Sequence, residues 1–210
     1  MKAAPLPDFE SAALQICEAG RLLDQKNMAP ATSGNYSMRL NNGSIAMTVS
    51  GYHKGRLKPD HIMRINMSGE ALEDKKPSDE AILHVQLYKL FPQINAILHV
   101  HSLPGVVLTR ALSGDVTLAG YEMLKIFPHI DTHETSITIP VFENSQDMMV
   151  LGADVEKKIS DDVPAYLIRD HGFYAWSSDM EHCVNMCEAL DYLLTCELEF
   201  LKVKAGGVKP

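Results

Sequence analysis

The stretch Ile97-Leu98-His99-Val100-His101 sets two imidazoles two residues apart. In an extended strand, side chains return to the same face every second residue. His99 and His101 are therefore expected to point the same way. Neutral imidazoles are good ligands for zinc and similar divalent ions. In a chain with nine histidines such a pair also arises by chance. A second element, Asp170-His171-Gly172, follows the apolar run Ala165-Tyr166-Leu167-Ile168. His171 there is either a further ligand at a strand end or a turn histidine beside a permissive glycine. A third, Ser78-Asp79-Glu80, reads as a capped helix start whose acids complement the helix dipole. Its alternative turns Glu80 toward a metal, as ligand or as acid/base. Three histidines that leave a coordination position open make a catalytic site rather than a structural one.

Two small polar loops suit an anion. Thr32-Ser33-Gly34-Asn35 and Ser50-Gly51-Tyr52-His53-Lys54-Gly55 combine hydroxyl or amide donors with glycines that let backbone N–H groups approach. Ser78 adds a hydroxyl at a helix N-terminus, and Lys54 adds charge. Taken singly, each loop reads as a plain turn. No glycine fingerprint of a nucleotide site is present. Cys183 and Cys187, one helical turn apart, read as core packing. His53 reads as a solvated loop residue or a helper in phosphate binding, and His182 as exposed beside a helix cap. His61, His84 and His129 suggest no role.

The elements that must position these residues follow from periodicity and breakers. Asp8 is expected to cap a helix reaching Asn27. Strands are expected at 36–40 and 44–50, joined through Asn41-Asn42-Gly43, and at 62–67. Pro77-Ser78 opens a helix to Phe91, and 96–101 is a strand. Ser102 starts a helix with Pro104 in its first turn. A strand over 136–142 and a helix over 153–159 come next. Then come extended segments at 165–169 and 173–176, and a Ser178-to-Glu181 capping box opens a helix to Val203. A tail from Ala205 is expected to fray. Hairpins mixed with strand–helix alternation imply a mixed or mostly antiparallel sheet covered by helices on both faces.

The bulk properties exclude several classes of function. The 210 residues suit a single domain over 1–210. Nineteen Lys and Arg against 27 Asp and Glu leave a net charge of -8, the wrong sign for a sequence-independent nucleic-acid binder. No apolar run reaches the roughly 18–20 residues of a membrane span. Met1 to Asp8 lacks the apolar stretch of a signal peptide. Four cysteines in helix-like stretches read as reduced, so a cytoplasmic protein is expected.

Taken in order, Thr32-Ser33-Gly34-Asn35, Ser50-Gly51, Ser78-x-Glu80, His99-x-His101 and His171-Gly172 before a long helix resemble the class II aldolase/adducin-like family. The resemblance spans about Phe9 to Phe200. Within that family, Gly120-Tyr121-Glu122-Met123-Leu124-Lys125 is similar to a segment of its dehydratases. Thr132-His133, the run from Ile139 to Asp147 and His171-Gly172-Phe173-Tyr174-Ala175-Trp176 agree with them too. The resemblance implies a three-layer α/β/α fold with a mostly antiparallel central sheet. It implies a homotetramer with sites near subunit contacts and a phosphorylated ketose as substrate. It also implies one divalent metal, usually zinc, on His99, His101 and His171. Glu122 takes the position of the acid/base, and Glu80 that of a carboxylate at the metal. Asn35, Ser50, Gly51 and Ser78 match phosphate-holding positions of the aldolases. Some positions depart from the pattern. Tyr121 stands where the dehydratases often have His, Phe127 where Gly is common, and Ser177 where Gly is usual. Asp79 replaces a phosphate-binding Ser, and an acid there repels phosphate unless it points away. His133 matches a family position without an assignable role. The same metal chemistry serves a sugar-phosphate aldolase or 4-epimerase, and the scaffold also occurs as a non-catalytic adducin-like module.

Overall fold

The computed structural model describes residues 5–206. In chain order these form α1 (Phe9–Gln25), β1 (Asn35–Arg39), β2 (Ile45–Thr48), β3 (Ile62–Ile65), α2 (Ala81–Leu90), β4 (Ala96–Val100) and α3 (Leu103–Ala111). Then follow β5 (Val116–Ala119), β6 (Ser136–Ile139), β7 (Val141–Phe142), α4 (Met148–Glu156), β8 (Ala165–Ile168), β9 (Gly172–Ser177) and α5 (Met180–Ala205). Parts of the leader and tail readings, at residues 1–4 and 207–210, lie outside the described residues.

Local chemistry explains most boundaries. The Asp8 carboxylate accepts from the Ser11 N–H at 2.9 Å and starts α1. Ser102 Oγ accepts from the Gly105 N–H and starts α3. At α5 the cap lies one residue later than the expected box: Asp179, not Ser178, accepts from the His182 N–H. The helix expected to open at Pro77-Ser78 begins only at Ala81. The strand expected over 136–142 is cut at Pro140, which has no N–H for a ladder. Its first part, β6, pairs with β5, and its second part, β7, pairs with β8.

Seven strands form the main sheet in the order β3-β2-β1-β4-β9-β8-β7. Every pair is antiparallel except β7 with β8. Alternation along β4 and β9 feeds two cores. Leu98, Val100, Phe173 and Ala175 join Ile16 of α1, Leu108 of α3 and Leu190 of α5 on one face. Ile97, Tyr174 and Trp176 join Leu83 and Leu87 of α2 and Leu151 of α4 on the other. Both faces are covered, so β4 is apolar along its length apart from His99. The result is the expected α/β/α sandwich around a mostly antiparallel sheet.

Two glycines let backbone close on the end of β4. A Cβ on Gly34, whose φ is +79°, would lie 2.6 Å from the His99 carbonyl oxygen. A Cβ on Gly172 would lie 2.1 Å from the Val100 carbonyl oxygen. Backbone cannot yield as a flexible side chain does. Gly172→Ala is therefore expected to cost about 3 kcal/mol, at the upper end of overpacking. The check is the urea midpoint at unchanged slope, and an unaltered midpoint would show that β9 can shift freely.

Candidate active site

β4 carries the first two histidines to the inside of the sheet. His99 is fully buried, paired in register with Asn35 of β1 on one side and Tyr174 of β9 on the other. His101 follows the strand end, where its N–H donates to the Met28 carbonyl. The turn between β8 and β9, with Asp170 at φ 56°, brings His171 alongside. The three rings lie with centroids 4.6 to 4.9 Å apart.

Hydrogen bonding sets the direction of the first imidazole. His99 Nδ1 donates to the Phe173 carbonyl at 3.0 Å, which leaves the Nε2 lone pair turned inward. That Nε2 lies 3.3 Å from His171 Nε2. Imidazole nitrogens about 2.0–2.1 Å from a tetrahedral ion are spaced about 3.3 Å from one another. One donor atom from each histidine falls within 4.8 Å of the others. Burial pushes His99 down to about 4 and His101 down to about 3, so both are neutral lone-pair donors near pH 7. The trio therefore fits a divalent ion on donor spacing and on donor chemistry.

Glu80 faces the trio. Its Oε2 is 3.5 Å from His99 Nε2, and its Oε1 is 3.7 Å from His171 Nε2. Because α2 starts late, Glu80 stands at the mouth of the helix with its carboxylate turned into the site, making no cap. Asn35 Nδ2 donates to Oε2 at 2.6 Å, and the Tyr174 hydroxyl donates to the same oxygen at 3.0 Å. Burial alone would raise this carboxyl. His99, Asn35, His171 and Tyr174 outweigh it and hold the group down to about 2, an anion at neutral pH.

Asn35, Ser50, Gly51, Ser78 and Lys54 all line one polar cavity of about 210 Å³ that opens on Glu80 and His171. Two of these residues differ from their expected use. Lys54 is buried, and its ammonium donates to the Thr32 and Tyr52 carbonyls at 2.8 Å each, clamping the two polar loops together. Burial pushes it down to about 8. Asn35 is committed to Glu80. Asp79 is exposed and paired with Lys76 at 3.8 Å, away from the cavity.

Glu122 is not brought to the trio within one chain. It starts a short 3-10 turn, is 70% exposed, and pairs with Lys125 at 2.5 Å and His133 at 3.6 Å. His133 thus lies beside Glu122. His53 is used locally, its Nδ1 accepting from the Gly55 N–H. His182 bonds Asp179.

Two residues of the site escape a reading of residue spacing alone. Tyr174 stacks on His99 with centroids 4.3 Å apart while donating to Glu80. His84 is fully buried and contacts Asn35. One signal was available for it: His84 is a polar residue four positions after Glu80, on the same face of a helix otherwise rich in buried apolar residues.

Burial, then His99, pushes His84 down to about 3. The unfolded chain titrates near 6.5 and so binds more protons than the native chain as pH falls below that value. Stability is fully present above it and declines below. Between about pH 7 and about pH 5, His84 alone is expected to account for about 2 kcal/mol of lost stability. Urea midpoints of metal-free protein measure this, and the slope should be shallower by that amount in His84→Gln. Equal slopes would place the proton sensitivity elsewhere.

Comparison with known proteins agrees with this architecture. The family model of the class II aldolase and adducin N-terminal domain matches residues 14–198. The chain is 45% identical over 199 residues to the methylthioribulose-1-phosphate dehydratase of Methylococcus capsulatus, covering 94% of this chain and 98% of that protein. It is 42% identical over 205 residues to the dehydratase of the same name from Hahella chejuensis, covering 95% and 99%. The solved L-fuculose-1-phosphate aldolase of Thermus thermophilus aligns with a TM-score of 0.75 at 21% identity, covering 94% of this chain and 97% of that one, a likeness of fold. Near-complete overlap in both directions, at these identities, makes the chain a member of the class II aldolase and adducin family, grouped with proteins named methylthioribulose-1-phosphate dehydratase.

Proposed function

We propose that this protein is a metal-dependent hydro-lyase of methionine salvage. It converts 5-methylthioribulose 1-phosphate to 2,3-diketo-5-methylthiopentyl 1-phosphate. The observation that carries this reading is the convergence of three imidazoles, an anionic Glu80 and a polar cavity of about 210 Å³ on one point. Residue identity over nearly the whole chain with the named dehydratases supports the choice of substrate.

A divalent ion on His99, His101 and His171, with zinc the natural choice for an all-imidazole set, supplies a Lewis acid for the ketose oxygens when bound. The chain's own groups do the rest. The 50–55 loop, clamped by Lys54, offers Ser50 and Gly51 to the phosphate, and Ser78 adds a hydroxyl from the segment before α2. Dehydration needs the C3 proton removed and the C4 hydroxyl protonated, because hydroxide is a poor leaving group. Glu80 presents Oε1 at the trio. Glu122 is assigned the proton transfers, and we place it against the trio of a neighbouring subunit in a homotetramer. In support, Glu122 lies apart from its own trio, and the exposed apolar side chains of Met123 and Tyr192 are suited to a subunit contact. All four cysteines are free, in keeping with a reducing cytoplasm. No described helix is long and apolar enough to cross a membrane.

The test is an assay of methylthioribulose, fuculose and ribulose phosphates before and after chelation, with metal content measured alongside. Dehydration of the first, lost on chelation and regained with Zn²⁺, is expected. Carbon–carbon cleavage of the others instead would make the protein an aldolase. No bound metal and no turnover with added Zn²⁺ would make it a non-catalytic module.

A further inference from the structure

Behind Glu80 a row of polar groups runs through otherwise apolar packing. Glu80, His84 and Tyr88 lie at successive four-residue steps leading into and along α2, and Asn35 and Ser37 lie two residues apart on β1. Four residues of helix rise about 6 Å, and two residues of strand advance about 6.6 Å. The two rows therefore stay in step. Asn35 Oδ1 lies 2.5 Å from His84 Nε2, His84 Nδ1 lies 2.7 Å from Ser37 Oγ, and Ser37 Oγ lies 3.0 Å from the Tyr88 hydroxyl. Asn35, Ser37, His84 and Tyr88 are all buried.

With His84 neutral, one arrangement of hydrogens satisfies the row from Glu80 to Ser37. Glu80 is an acceptor, so Asn35 must turn its NH2 toward Oε2. The Asn35 oxygen then needs a donor, which is His84 Nε2–H. His84 Nδ1 is left as an acceptor and takes the Ser37 hydroxyl proton. With its own proton so placed, Ser37 Oγ can only accept from the Tyr88 hydroxyl, which also has the Asn95 carbonyl within 3.5 Å. From Ser37 to Asn35, every donor thus points along the row toward Glu80. Asn35 and Tyr174 both end on Oε2, and Oε1 is left without a donor from either.

We propose that His84 is a positioning residue: its neutral, Nε2-protonated imidazole locks the Asn35 amide with its NH2 toward Glu80, leaving Oε1 as the free carboxylate oxygen at the histidine trio. The inference rests on the reading of Glu80 as a working group of that site. It gives a duty to a histidine for which spacing alone offered none, and it makes Asn35 part of the carboxylate's mounting.

Two measurements test it. In metal-free wild-type protein carrying ¹⁵N-labelled histidine, two-bond ¹H–¹⁵N correlation spectra at neutral pH report which ring nitrogen holds the proton. The His84 signals are identified by their loss in His84→Gln. Protonation on Nε2 is expected. A proton on Nδ1 would overturn the inference, since Asn35 would then have to turn its oxygen toward an anion. In the holoenzyme, His84→Leu removes the donor at similar volume. Its kcat is expected to fall about a hundredfold, the scale of a small misplacement of a reacting group. KM should stay within about twofold. His84→Gln, which offers an N–H at the same reach, should recover to within about tenfold of wild type. Equal losses in both variants, or a loss carried by KM, would reduce His84 to packing. Should His84→Leu not fold, the wild-type tautomer still decides. A wild-type protein inactive on the phosphorylated ketose would overturn the proposed function and leave the tautomer result standing.

Discussion

His99→Ala should leave the protein without stoichiometric metal and lower kcat/KM by roughly a thousandfold, equivalent to about 4 kcal/mol of transition-state stabilisation. His99 is the best-anchored of the three proposed ligands. Its Nδ1 is tied to the Phe173 carbonyl, one face rests on Tyr174, and its Nε2 sits 3.3 Å from that of His171. Alanine removes the central ligand and the partner of that carbonyl together. Two imidazoles remain, too few to hold a catalytic zinc site of the usual three protein ligands. Elemental analysis of the purified variant, alongside circular dichroism to confirm folding, is the measurement. His53→Ala serves as the control, because His53 caps a local turn and should alter neither metal content nor turnover. A folded His99→Ala protein that keeps one metal per subunit would remove the trio from the centre of the site.

Glu122→Gln should retain its metal and lose about a hundred- to ten-thousandfold in kcat, the range for removal of a general acid/base. The partner experiment exploits its separation from the trio. Glu122→Gln subunits and His99→Ala subunits are each inactive, for different reasons. If Glu122 serves the neighbouring subunit, random mixing in a ring joins an intact trio to an intact Glu122 at about a quarter of the sites. Activity should rise toward that fraction on mixing and reassembly. Mixed assemblies, verified by native mass spectrometry, that stay inactive would confine the site to one chain. A fully active Glu122→Gln would return Glu122 to being a surface acid paired with Lys125.

What could be read in advance tracks the range of the interaction involved. The end of β4 was legible because strand geometry converts the spacing of His99 and His101 directly into a shared face. The β1–β2 hairpin announced itself through Asn42, whose side chain accepts from the Ser44 N–H, and through Gly43 at φ 83°. The caps at Asp8 and Ser102 are equally local. Ser78 misled because its hydroxyl does accept a nearby N–H, that of Glu80 at 3.3 Å, yet the helix proper waits until Ala81. Pro140 was a visible breaker inside a run whose alternation argued for continuity. Lys54 reads as a solvent-exposed charge in one dimension. Only the folded chain shows two carbonyls, 22 and two residues away in sequence, closing around its ammonium. His84 and Tyr174 depend on the matching of a helix to a strand and of one strand to another, which no local pattern contains.

The position of β4 has a consequence for how such a protein can change over generations. The strands before Ala96 form one side of the main sheet, and the strands after Val100 that join it form the other. The polar cavity draws on residues 32, 34, 35, 48–51, 54, 78 and 80 from the earlier part, with only His171 from the later. The whole row from Glu80 through Asn35, His84 and Ser37 to Tyr88 also belongs to the earlier part. A single genetic crossover just ahead of β4 would transmit the polar cavity's early residues and the carboxylate mounting from one parent and the whole histidine trio, His99, His101 and His171, from the other. Variation in the two halves can then be sorted by recombination without dividing the histidine cluster.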